Sequence, residues 1–219
     1  MKKIFLSLAI LLYAIQGFSQ SATVPVKVDS LITVSLANSF QKKDTLGQHI
    51  YSANAAFGYM TVIVAPNDKN NTPLKKESDL NNVLKKYIKS IQGQSGDGSA
   101  QNVRDTTIGT LKAKAFTLKS SKDGEDVQYI NFILLYTQDN TYTFEYVYPD
   151  IRKDLIKDEY KAFASSIRLS PELQRNDQYL SNAKGLSSTT KIALFGGGGL
   201  ILILVIVTVV RRKKRIAIS

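Results

Sequence analysis

The sequence predicts an α+β fold class: an antiparallel sheet with flanking helices, followed by a single C-terminal transmembrane helix. Three observations carry this expectation. Three strand-like runs, "TLKAKAFTLKS", "VQYINFILLYT" and "TYTFEYVYP", follow one another with only short polar turns between them, the pattern of an antiparallel meander. Two amphipathic stretches with apolar residues every three or four positions stand before and after that meander. Finally, an uncharged apolar run from Ile192 to Val210 stops at five consecutive basic residues, long enough to cross a bilayer.

The start reads "MKKIFLSLAILLYAIQGFSQSA", two lysines before a short apolar core and then small and polar residues. That order is the one a secretory signal peptide shows, and the core is too short for a comfortable span. Residues 1–19 are therefore expected to be removed, with cleavage after Ser19.

The exported part, residues 20–170, reads as one mixed domain. "SLITVSL" alternates, with Ile32, Val34 and Leu36 on one side, as a half-buried strand does. "FGYMTVIVAP" is more uniformly apolar, which predicts a central strand. A helix is expected from Ser78 or Asp79 to Gly93, burying Leu80, Val83, Leu84, Tyr87, Ile88 and Ile91. The next stretch, Gly93 to Asn102, is glycine-rich, but it follows a helix and lacks a Gly-Lys-Ser/Thr ending, so it is a loop and no phosphate cradle. In the last run of the meander Tyr142, Phe144, Tyr146 and Tyr148 share one face, expected to be core beneath a helix. A final helix from Arg152 to Ile167 turns Leu155 or Ile156, Tyr160, Phe163, Ala164 and Ile167 to the sheet.

Residues 171–191 are polar and read as a tether, with only Tyr179 and Leu180 able to dock on the domain. The nineteen positions 192–210 reach close to ~30 Å as a helix, the hydrocarbon thickness. Arg211, Arg212, Lys213, Lys214 and Arg215 then set the orientation, because short loops rich in Lys and Arg stay cytoplasmic. The expected location is a cell membrane, a bacterial inner membrane, with the domain outside and the tail 211–219 inside. Thr189, Ala193 and Gly197 repeat at four-residue spacing, a small-residue seam that would let two spans pair weakly as a homodimer.

The paired N-terminal strands, the helix, the long meander and the terminal helix ending "YKAFASSIRLS" together resemble the PsbP/DcrB-like fold. The resemblance implies an accessory or assembly factor at a membrane, mostly without enzymatic activity. It is a pattern of elements without a shared motif, so no site residue is carried over from it.

The formal charge of +11 misleads about partners. Seven of the 29 basic residues lie in the two end segments, leaving 22 against 18 acids between them, a net +4. Nucleic acid is therefore excluded as an expected partner. With no cysteine there is no disulfide, thiolate metal site or thiol nucleophile. The single histidine, His49, has no histidine or cysteine partner and reads as a surface residue before a strand. Asp123, Glu125 and Asp126 sit in a turn that lacks calcium-loop spacing. No catalytic, cofactor or metal residue is predicted. The function expected is a membrane-anchored extracytoplasmic accessory, binding or assembly module, supporting another envelope protein or complex. The alternative is an envelope enzyme whose active site the motifs do not reveal.

Overall fold

In the computed structural model, residues 22–68, 72–95, 98–121 and 126–180 are described. They form mostly antiparallel sheet with two helices, an α+β fold. The strands are β1 (Thr23–Lys27), β2 (Ile32–Ala37), β3 (Gln41–Thr45), β4 (Gln48–Asn54) and β5 (Tyr59–Pro66). After helix α1 (Glu77–Gln94) come β6 (Ser99–Ile108), β7 (Leu111–Ser120), β8 (Gln128–Tyr136) and β9 (Asn140–Pro149). Helix α2 (Lys157–Ser165) and β10 (Arg168–Leu169) complete the set.

Seven strands pair in the order β3-β4-β5-β9-β8-β7-β6, and three more in the order β1-β2-β10. Every pairing is antiparallel. The apolar run of β5 is central, between β4 and β9, as its composition predicts. The turn from β3 to β4 has two residues, Leu46 and Gly47, at φ 49° and 77°. Both left-handed values are what a two-residue hairpin turn needs to match strand twist.

Alternation along the strands gives the large sheet two buried faces. One carries Tyr142, Phe144 and Tyr146, all 0 % exposed, and packs against the small sheet and α2 through Val34, Leu36, Phe163 and Ile167. The aromatic row is core, as expected, but a second sheet does much of the covering. Polar contacts tie the two sheets together. Asp29 accepts the hydroxyl of Tyr142 at 2.6 Å and the N–H groups of Leu31 and Ile32, each at 2.8 Å. The Tyr51 hydroxyl donates to the Val28 carbonyl at 2.8 Å.

The other face receives α1, whose Leu80, Leu84, Ile88 and Ile91 pack on Phe116, Leu118, Ile130, Phe132 and Leu134. Phe116 and Phe132 stack with ring centroids 4.6 Å apart. The helix begins earlier than the sequence suggests. Lys76 is its N-cap, and Asp79 accepts the Lys76 N–H at 3.1 Å, so Asp79 serves from inside the first turn. It also runs one residue past Gly93, and β6 occupies the last four of the ten residues of the expected loop, from Ser99 onward.

Two further expectations are corrected. Residues 150–152 form a 3-10 turn, and α2 starts only at Lys157. Leu155 is left 55 % exposed while Ile156 is buried. The domain also does not stop at Ser170. Leu173, Gln178 and Tyr179 are buried, and Gln178 donates to the carbonyls of Lys112 and Tyr136 and accepts the Lys112 N–H. The Leu180 N–H donates to the Leu74 carbonyl at 2.8 Å. The first ten residues assigned to the tether are thus part of the fold, because one glutamine satisfies three backbone groups at once.

The expected signal peptide, most of the tether, the span at 192–210, the tail with Arg211, Arg212, Lys213, Lys214 and Arg215, and the seam of Thr189, Ala193 and Gly197 all lie outside the described residues. Among the described residues no helix is long and apolar enough to cross a membrane.

Candidate functional site

At one end of the large sheet, on the face that bears α1, a cleft encloses about 400 Å³. Its floor is strand surface: Gln41 from β3, Ser52 and Asn54 from β4, Tyr59 from β5, Val147 from β9 and Gln128 from β8. Its rim comes from the β4–β5 turn, with Phe57 and Gly58, and from Pro149 and Arg152 where β9 gives way to the 3-10 turn.

Pairing register places the floor residues. Gln41 stands opposite Ser52, and Ser52 opposite Thr61. Asn54 stands opposite Tyr59, and Tyr59 opposite Val147. Directly opposed residues project to the same face, so these are two cross-strand rows on the face of α1.

The rim is held by two devices. At Gly58 the chain passes so close to β9 that a Cβ would lie 2.6 Å from the Val147 carbonyl oxygen and 2.7 Å from the Tyr146 ring. Glu159, from the first turn of α2, accepts the N–H groups of Ala56 at 2.7 Å and Phe57 at 3.0 Å. The same carboxylate takes the Tyr146 hydroxyl at 2.5 Å. Burial and then the neighbouring Glu159 push the Tyr146 phenol above its ordinary range, so it stays a donor. Helix, turn and sheet are locked together at the mouth of the cleft.

Chemically the cleft offers amides, hydroxyls, aromatic rings and one cation. The side chains of Ser39, Gln41, Ser52, Asn54 and Gln128 make no hydrogen bond to another described residue, and Arg152 makes no ion pair among them. Among the described residues nothing competes with a ligand for these groups. No His, Asp, Glu or Lys lines the cleft, and its titratable side chains are Tyr59, Tyr148 and Arg152. Among the described residues no group of three His, Cys, Asp or Glu could hold a metal ion.

The residues weighed in the sequence fall elsewhere. His49 lies within β4, 45 % exposed at its side chain, with Nδ1 2.7 Å from Asp44 Oδ1. That contact, with Lys42 nearby, holds the exposed Asp44 carboxyl below its usual range. Asp126 is exposed, and Asp123 and Glu125 lie outside the described residues. The cleft residues were not legible in advance. Their one sequence signal is the polar positions Ser52 and Asn54 recurring at two-residue spacing in a strand whose other face is apolar.

No family model and no curated protein matches the sequence. Solved structures do. The solution structure of the cyanobacterial PsbP of Synechocystis sp. PCC 6803 is 15 % identical, covering 70 % of this chain and 96 % of that one, with a TM-score of 0.49. LpqN of Mycobacterium tuberculosis, described as involved in cell envelope biogenesis, is 11 % identical over 72 % of this chain and 95 % of its own, with a TM-score of 0.43. A crystal structure from Bacteroides thetaiotaomicron is 10 % identical over 64 % of this chain, at a TM-score of 0.41, and this chain spans 46 % of its length. A PsbP is thus among the similar structures, as the sequence resemblance anticipates.

Proposed function

We propose that this chain is a membrane-anchored binding or accessory module. Its domain works outside the cytoplasmic membrane without catalysis of its own and serves another envelope protein or complex. The observation that carries the reading is the cleft: uncommitted amides and hydroxyls around aromatic rings, with no acid–base pair among its lining residues. Such a lining is suited to recognition through hydrogen bonds and ring contacts. Export and anchoring rest on the two apolar end segments and on the basic run Arg211 to Arg215.

Protease added outside spheroplasts should digest the domain and spare a small fragment that includes the basic tail. A photoreactive amino acid placed at Gln41, in the cleft, should give a discrete adduct in native membranes. The same group at Lys85, on the outer side of α1, should not. Loss of the tail with the domain protected would overturn the anchoring. Identical adduct patterns at the two positions would overturn the cleft as the binding surface.

A further inference from the structure

The row that begins in the cleft does not end there. Gln41 and Ser52 line the opening, and the same cross-strand row continues through Thr61 to Glu145. On the buried face of a sheet such a row is ordinarily apolar. Here it stays polar while exposure falls to 0 % at Thr61 and 2 % at Glu145. Thr61 Oγ1 and Glu145 Oε1 are both buried without a hydrogen-bond partner among the described residues, which is rare for interior polar atoms and asks for a cause. A third such atom, Gln94 Oε1, belongs to α1. Gln94 shares a helical stripe with Ser90 and Tyr87, and the Tyr87 hydroxyl accepts from Thr143 Oγ1 at 3.3 Å. Along the strands, Thr61 and Glu145 are the next same-face residues inward from Tyr59 and Val147 of the cleft floor, about 7 Å away.

We propose that the cleft and this polar row form one carbohydrate-binding site, with Thr61 and Glu145 as its inner end and Arg152 at the rim selecting an acidic sugar. The proposal rests on the cleft being the binding surface of the module. A sugar hydroxyl both donates and accepts, and the amides of Gln41, Asn54 and Gln128 offer both partners side by side. The Tyr59 ring gives the C–H face of a pyranose an apolar platform. A nucleotide would call for several cations, and the lining holds one. An extended peptide adds to a sheet edge, whereas the floor of this cleft, six of its fourteen lining residues, is a sheet face. Burial raises the Glu145 carboxyl to about 8, so at neutral pH it too donates and accepts like a hydroxyl.

The test is ligand-observed saturation-transfer NMR on the full chain in detergent micelles, with D-glucuronate, D-glucose and a neutral tripeptide as probes. Glucuronate should receive saturation, glucose less, and the tripeptide none. Glu145→Leu and Thr61→Val should each weaken glucuronate about tenfold, the loss of one hydrogen bond in a dry site. Both variants should keep a cooperative melt, because an apolar group in that position relieves an unpaired buried one. Arg152→Gln should bring glucuronate down to the level of glucose. Lys89→Gln, on the outer side of α1, should bind as the original does. Unchanged binding by a folded Glu145→Leu chain would overturn the inner end of the site. Silence from both sugars, with a cleft-specific adduct still formed at Gln41, would overturn the carbohydrate assignment and leave the binding module standing.

Discussion

Glu145 should make the fold lose stability as pH rises through neutrality, and Glu145→Gln should abolish that dependence. The carboxyl is 2 % exposed, and burial alone lifts it from an ordinary 4.5 to about 8. Because the folded value lies above the unfolded one, the native chain still holds the proton in the interval where the unfolded chain has released it. Stability then falls with increasing pH. The slope is a little over ~1 kcal/mol per pH unit, so roughly 5 kcal/mol is lost between the two values. That is a large fraction of the 5–15 kcal/mol, about, that a domain commands. Below pH 4.5 the effect is absent, and above about 8 it is complete. Urea unfolding of residues 22–180, followed by far-UV circular dichroism at several pH values from 5 to 9, measures it. The sequence has no tryptophan, so tyrosine emission serves as the second probe. The glutamine variant should give a nearly flat profile over that range. Parallel profiles for the two proteins would show that Glu145 ionises within the fold, and the account of its burial would fall.

Ile88→Asp should unfold the domain, since Ile88 is 5 % exposed against the sheet and an unpaired buried carboxylate costs several kcal/mol. Lys89→Asp, one position on and exposed, should leave the melting temperature nearly unchanged, and equal losses would refute the helix orientation. Ending the chain at Ser170 should lower the midpoint relative to an end at Leu180 by the equivalent of about 2–4 kcal/mol, from the lost burial of Leu173 and Tyr179 and the three backbone groups that Gln178 satisfies. Equal midpoints would restore the shorter boundary. Gly58→Ala should cost about 1–3 kcal/mol, because the Val147 carbonyl that the new methyl group meets is backbone and cannot swing away. A neutral result in thermal melts would mean that the close approach is not real.

What could be read in the chain is what periodicity encodes. The meander of β7, β8 and β9 is long, its strands alternate, and its turns are short, so local pattern and long-range pairing agree. The stripe Leu80, Leu84, Ile88 and Ile91 of α1 was legible for the same reason. β3 was not, because "QKKDT" is an exposed edge strand whose lysines guard its free side and whose pattern carries no apolar signal. β6 was missed likewise, with nine of its ten positions exposed or half-buried beside a polar loop in "SAQNVRDTTI". Gln178 looks like linker in sequence, and only the carbonyls of Lys112 and Tyr136 waiting opposite it make it core. The cleft is harder still. Glu145 and Ser52 are ordinary polar residues in alternating strands until the register of β4, β5 and β9 sets them in one row. No local window contains that information.

The docking of Gln178 and Leu180 also fixes a direction. They hold the last described part of the chain beside Tyr136 and Leu74, at the C-terminal end of β8, while Gln128 at the opposite end of that strand lines the cleft. Eight residues of extended strand separate the two ends, about 27 Å. Any anchor attached beyond Leu180 would therefore join the domain at the pole opposite the cleft. The height of the sheet then adds to the reach of the intervening tether in setting how far the cleft can stand from its attachment.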